Sequence, residues 1–136
     1  MIQDYVRVNA YRKALSILCK DKVVVHVGTG TGLLATLAID FQASYVYAIE
    51  ASNIATEAQE SFNQRPYCGK ISLHRCMAED FRLSRKKADL IVSEWMGYFL
   101  LFENMLPSVL AVRDKVLRFG GEIVPREATL IIGGYE

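Results

Sequence analysis

Lys22-Val23-Val24-Val25-His26-Val27-Gly28-Thr29-Gly30-Thr31-Gly32-Leu33-Leu34 decides how this chain is read. A β-branched run passes directly into three glycines within five residues, and then into leucines that continue at helical spacing through Leu37 and Ala38. Such a run is of the kind buried on both faces of a parallel sheet. Glycines let a backbone turn sharply and let a ligand approach closely, while the first turn of the helix behind them offers free N–H groups.

Outward from this unit, strand and helix alternate. Upstream, residues 3–18 place Val6, Ala10, Ala14, Leu15 and Leu18 at helical spacing. Downstream, Tyr45 to Glu50 reads as a second strand and Asn53 to Asn63 as a helix, with Ser52 or Asn53 as its N-cap. Ile71 to Arg75 is a third strand and Ala88 to Ser93 a fourth. Residues 103–117 read as a helix ended by Gly120-Gly121, with strands at Glu122 to Val124 and Thr129 to Ile132. Strands separated by helices imply an α/β fold: a doubly wound, mostly parallel sheet with helices on both faces and right-handed crossovers. The three segments are a helix at 1–20, a ligand-binding domain at 21–127, and the start of something further at 128–136.

The totals agree with one ordinary domain. The 136 residues are 51% hydrophobic and 23% charged, with a formal net charge of +1. That balance leaves no electrostatic footprint for nucleic acid. No apolar run approaches a membrane span, and MIQDYVRVNA has no signal-peptide core, so a soluble, non-secreted protein is expected. Cys19, Cys68 and Cys76 form no CxxC pair and read as reduced structural thiols, with no metal site. Arg85-Lys86-Lys87 reads as a solvated turn.

The glycine spacing narrows the ligand. A dinucleotide fingerprint wants GxGxxG, whereas here the third glycine comes one residue early and Leu33 fills its place. GxGxG suits a ligand without a pyrophosphate, such as S-adenosylmethionine. Glu50 closes the second strand 22 positions after Gly28, where a carboxylate can accept from both ribose hydroxyls of an adenosine. Alone, each feature reads as a tight turn or a solvated strand end; together they favour a nucleoside site.

The fourth strand runs into Ser93-Glu94-Trp95-Met96-Gly97-Tyr98-Phe99-Leu100-Leu101-Phe102-Glu103. Two glutamates bracket eight residues, seven of them apolar or aromatic, at the sheet edge where open α/β proteins bind ligands. Carboxylates among so much apolar surface call for cationic partners. A guanidinium is planar, always charged and suited to bidentate pairing with them. The bland alternative makes Trp95, Phe99, Leu100 and Phe102 core and pairs the glutamates with surface Lys or Arg.

This loop resembles the double-E loop of the type I protein arginine methyltransferases. Val46-Tyr47-Ala48-Ile49-Glu50 resembles the family's strand ending in the ribose-binding acid, and Asp21 to Leu34 its glycine-rich first motif. The resemblance runs from Asp4 to Thr129 and implies a Rossmann-like class I methyltransferase domain using S-adenosyl-L-methionine. By position it implies catalytic roles for Glu94 and Glu103, and cofactor contacts from Arg7, Gly28, Thr29, Gly30, Gly32, Glu50, Ala51, Ala78 and Glu79. Arg7 matches the arginine pairing with the cofactor's carboxylate, and Glu79 the acid near the adenine amino group. Met1, Asp4, Met96 and Tyr98 would join Glu94 and Glu103 around the acceptor arginine. Its implied partners are proteins with Gly-Arg-rich or histone-tail arginines, its location cytoplasm or nucleus, its assembly a homodimer.

Departures accompany the match. His26 stands where the family usually has an acid; it reads either as a donor or acceptor near the cofactor or as a buried, hydrogen-bonded core histidine. The family's cofactor-covering N-terminal helix would precede Met1. Its β-barrel, with a Thr-His-Trp loop and a dimerisation arm, would follow residue 128, so the chain is expected to be a truncated member. Exposure of residues 95–102 would then make it prone to self-association. A catalytically inactive binding module is the alternative. A small-molecule methyltransferase would have no need of Glu94 and Glu103.

Overall fold

The structure, a computed structural model, describes residues 3–83 and 87–134. Met1 and the Arg85-Lys86 pair therefore lie outside the described residues. Five strands form one sheet: β1 (Val23–Val27), β2 (Tyr45–Ile49), β3 (Ile71–His74), β4 (Ala88–Ser93) and β5 (Leu117–Val124). Their order is β3-β2-β1-β4-β5 and every pairing is parallel, as the alternation of elements implies. The chain winds outward from β1 to β3 and returns to lay β4 against the other side of β1. The carboxyl ends of β1 and β4 thus flank the switch point where open sheets bind ligands.

Alternate side chains feed two cores. Val24, Val46, Leu90 and Val92 pack with Tyr11 and Leu15 of α1 (Tyr5–Leu18), Leu34 and Leu37 of α2 (Leu33–Asp40), and Phe62 of α3 (Ala55–Phe62). Val25, Val27, Ile49 and Ile91 pack on the other face with Trp95, Phe81 and α4 (Leu106–Val116), through Val109, Val112 and Val116. This period-two division is what strand geometry dictates once helices cover both faces. The same core takes in α1, so residues 5–18 are part of the unit that holds the sheet. The helix opens at Tyr5 because Asp4 caps it, its Oδ1 accepting from the Arg7 N–H at 3.0 Å.

Four sequence expectations are corrected. The helix expected at residues 103–117 begins at Leu106, with Pro107 in its first turn, and Glu103 falls in the preceding turn. Gly120-Gly121 does not end it: Leu117 turns extended to pair with Ala88, and both glycines fall inside β5. There the register jumps from Leu117 opposite Ala88 to Glu122 opposite Leu90, and Gly120 at φ +73° helps accommodate the bulge. Neither Ser52 nor Asn53 caps α3 with its side chain; the N-cap position is Ile54, after a turn held by backbone bonds to Ser52 and Asn53. Thr129 to Ile132 forms no strand: it pairs with no strand among the described residues, and its residues are exposed.

Cys19, Cys68 and Cys76 are free, with Cys68 before and Cys76 after β3. No described helix is long and apolar enough to cross a membrane. Tyr98, Phe99, Leu101 and Phe102 are exposed, as is Phe119 at the bulge. An apolar patch of this kind favours association. In size-exclusion chromatography the elution volume should fall as loading concentration rises; a sharp monomer peak at every concentration would contradict this.

Candidate active site

The glycine turn is held from beneath by β2. Gly28, Gly30 and Gly32 lie at φ +69°, +55° and +92°, left-handed conformations that a side chain disfavours. The Thr29 N–H donates to the Ile49 carbonyl at 2.9 Å. Glu50, one residue on, accepts from the Gly30 N–H through Oε2 at 2.9 Å and from the Ser52 N–H through Oε1 at 3.0 Å. Burial by itself would raise this carboxyl's pKa, but the backbone donors of Ser52, Gly30 and Ala51 outweigh it and hold the group below its ordinary value. Glu50 is therefore ionised at neutral pH, and each oxygen keeps acceptor capacity.

A cleft of about 180 Å³ opens above it. Gly28, Glu50, Ala51, Ala78 and Glu79 all line this cleft, beside Cys76, Met77, Met105 and Ser108. A Cβ on Gly28 would overlap the Met105 thioether, so the glycine keeps the cleft open at that wall. Glu79 lies on a short 3-10 turn, Ala78–Asp80; Ser108 donates to its carboxylate and Lys115 to its backbone carbonyl. The Ser108 hydroxyl is the main cause of a lowered Glu79 pKa. Ser108 and Met105 escaped the sequence reading although Glu103 lies close by in the chain, because only the docking of α4 against the 3-10 turn brings them to this cleft.

A second cleft, of about 250 Å³, shares Gly28 and adds His26, Thr29, Gly30, Thr31, Leu33, Ile54 and Glu94. Glu94 reaches it because β4 pairs with β1, Val27 opposite Ser93, and the Ser93 hydroxyl donates to the Val27 carbonyl at 2.9 Å. Tyr11 of α1 donates to the Ser93 carbonyl at 2.8 Å, tying the helix that bears Arg7 to the residue before Glu94. Glu94 accepts from Arg7 Nη1 at 2.7 Å, and Arg7 Nε lies 3.2 Å from Asp4 Oδ2. Asp4, Arg7 and Glu94 thus form one chain of charges. A third groove, under α1, is lined by Arg7, Tyr11, Met96 and Pro125 among others.

The remaining candidates are placed differently. Gly32 lies outside the linings of these clefts; it opens α2, and a Cβ there would meet the Phe62 ring at 2.5 Å. Tyr98 is exposed at the tip of the loop. Glu103 is exposed too, and its side chain lies across Gly97. The aromatic loop divides: Trp95 is core, as the bland alternative has it, while Tyr98, Phe99 and Phe102 are not.

His26 is 1% exposed, and its Nδ1 lies 2.7 Å from the Thr29 hydroxyl, so it is a buried, hydrogen-bonded histidine that also borders the second cleft. Burial pushes its pKa down to about 4, with Glu50 opposing only in part. Because the folded pKa lies below the unfolded value of 6.5, the unfolded chain takes up the proton first as pH falls. Stability should drop from pH 6.5 toward 4, by on the order of 3 kcal/mol at the lower end. Urea denaturation of His26→Asn across this range should show a shallower decline than the parent; equal slopes would refute the assignment.

Comparison with known proteins places this arrangement. A profile of methyltransferase domains matches residues 25–124. The chain belongs to the methyltransferase-domain family. The resemblance to protein arginine methyltransferases is also borne out. This methyltransferase domain is 43% identical to protein arginine N-methyltransferase 1 of Oryza sativa subsp. indica, over 100% of this chain and 36% of the relative. Among solved structures, the Trypanosoma brucei PRMT1 enzyme-prozyme heterotetrameric complex with AdoHcy superposes with a TM-score of 0.85 at 37% identity, over 90% of this chain and 39% of that one. Arabidopsis thaliana protein arginine methyltransferase 10 gives a TM-score of 0.86 at 37% identity, over 91% and 36%. The methyltransferase domain spans little more than a third of the length of the curated relatives it matches.

Proposed function

We propose that this domain is the cofactor-binding half of a protein arginine N-methyltransferase, moving a methyl group from S-adenosylmethionine to a guanidinium nitrogen of a protein arginine. One observation carries the reading: the glycine turn and Glu94 line a single cleft at the sheet's switch point. Donor site and acceptor carboxylate are therefore neighbours.

The residues suit the cofactor. Glu50 has acceptor capacity for two vicinal hydroxyls, Ala51, Met77, Ala78 and Met105 offer apolar walls to a flat ring, and Gly28 adds no side-chain bulk to the cleft. When bound, the cofactor supplies a methyl carbon made electrophilic by a cationic sulfur. Glu94 and Glu103 would hold the acceptor guanidinium by charge-assisted hydrogen bonds and draw its positive charge toward the nitrogens they touch. The remaining nitrogen is then richer in electrons and fixed in line. The proton leaves afterwards, so no dedicated base is required early.

The finer assignments belong to the same proposal. The product is asymmetric dimethylarginine, the acceptors are Gly-Arg-rich segments or histone tails, and the site of action is cytoplasm or nucleus. Residues 21–127 form the cofactor domain, and 128–136 lead into a barrel that would complete the substrate groove and the homodimer. The test is transfer of radiolabelled methyl from S-adenosylmethionine to a Gly-Arg-rich peptide, followed by identification of the arginine species. Methylated arginine supports the proposal; label on another residue overturns it.

A second reading, a non-catalytic module, is favoured by one specific observation: Arg7 already occupies Glu94. Cofactor binding without turnover, persisting at high peptide concentration, would select it.

A further inference from the structure

Gly97 sits three residues after Glu94, at the neck of the loop that ends in Glu103. Its N–H donates to the Leu100 carbonyl at 3.1 Å, closing an isolated bridge between the two residues. Beyond the neck the chain doubles back tightly: Phe99, Leu100 and Asn104 all take left-handed φ, at +49°, +65° and +49°. Phe102 N–H then bonds to the Tyr98 carbonyl, and Asn104 N–H to that of Leu101. This reversal returns Glu103 to the neck. There its side chain lies where a residue-97 side chain would begin, since a Cβ on Gly97 would stand 2.5 Å from Glu103 Cγ, 2.9 Å from Cδ and 3.1 Å from Cβ.

We propose that Gly97 is a positioning residue for Glu103: its bare Cα is the surface on which the second glutamate's side chain rests, holding that carboxyl near the loop neck from which Glu94 departs. The glycine is not needed for its own backbone, because its φ lies outside the left-handed region, unlike those of Gly28, Gly30 and Gly32. Nor does core packing set the nearest limit, because the three atoms closest to such a Cβ all belong to Glu103, an exposed residue. An alanine is accommodated by rotating the Glu103 side chain, which takes Cγ and Cδ away, together with a slight shift of the turn at its Cβ: the fold survives and the carboxylate moves. Van der Waals overlap at 2.5 Å leaves no intermediate solution, since carbon atoms pack at about 3.5–4.0 Å. The inference rests on the proposed role of Glu103 in holding an acceptor arginine, but its structural half stands apart from that role.

Gly97→Ala tests it. The thermal midpoint should stay within about 2 °C of the parent and affinity for S-adenosylhomocysteine within about twofold, while kcat for a Gly-Arg-rich peptide falls about 100-fold. Combined with Glu103→Gln it should cost nothing further, because both changes remove the same carboxylate; additive losses would overturn the proposal. The independent readout is the 13C side-chain carboxyl resonance of Glu103, assigned by its disappearance in Glu103→Gln. A shifted resonance in Gly97→Ala supports the positioning role even in a chain that transfers no methyl group. An unmoved one overturns it whatever the kinetics. A shifted resonance with normal turnover in Glu103→Gln would instead retain the positioning and dismiss the acceptor role of Glu103.

Discussion

Glu103→Gln should lower methyl transfer by about 10²- to 10³-fold and leave affinity for S-adenosylhomocysteine unchanged within about twofold. The magnitude is that of removing one preorganised electrostatic contact from a reacting centre. Glutamine keeps the shape and one acceptor oxygen but loses the charge that would polarise a guanidinium. The cofactor cleft should not notice, because Glu103 lines neither of the clefts formed by Gly28 and Glu50 and is exposed on the loop. Stability should not change either, since no hydrogen bond or salt bridge to its carboxylate is made within the described residues. Single-turnover transfer and calorimetric cofactor binding separate the two effects. Normal turnover in Glu103→Gln would remove the clamp from the proposal.

Glu50→Ala should show the opposite pattern. Two backbone donors and, by proposal, two ribose hydroxyls converge on one carboxylate, and hydrogen bonds to charged groups contribute roughly 1.5–3 kcal/mol each. Cofactor affinity should fall by about 100-fold or more, with turnover recovering as cofactor is raised. A modest loss of melting temperature is expected as well, because Gly30 and Ser52 lose the acceptor that fixes the turn to β2. Isothermal titration against S-adenosylhomocysteine measures the first effect. An unchanged dissociation constant would place the nucleoside elsewhere.

The contrast between these variants follows from what the sequence could convey. Val23 to Leu34 and Val46 to Glu50 were legible because a strand, a glycine turn and a carboxylate each leave a local mark, and the parallel sheet follows from their alternation. The region after Ala88 was less so. Leu117 to Val124 looks helical up to its glycines; the extended pairing of Leu117 with Ala88 is decided by a partner far back in the chain, and local propensity cannot register it. Thr129 to Ile132 erred in the other direction: its β-forming residues make no strand pairing among the described residues. In the site, Arg7 and Glu94 were legible as charges, yet their mutual pairing depends on Tyr11 docking α1 onto Ser93. The burial of His26 is a property of the completed sheet and leaves no mark in the local sequence.

The parallel pairing of β1 with β4 also sets the order in which the molecule can come into being. Val27 and Ser93 are neighbours in space but separated by β2, β3 and the segments that connect them, and no two strands of the described residues form a hairpin. Nothing local can nucleate the sheet, so its central contact must close a long loop before other contacts repay that entropy, and such topologies fold slowly. The glycine turn hangs from β1 and is fixed by β2, whereas Glu94 hangs from β4, so the two are brought together only when β4 pairs with β1. A chain emerging from the ribosome can settle its glycine turn on β2 first and gains the cleft that the turn shares with Glu94 only later, once β4 has followed.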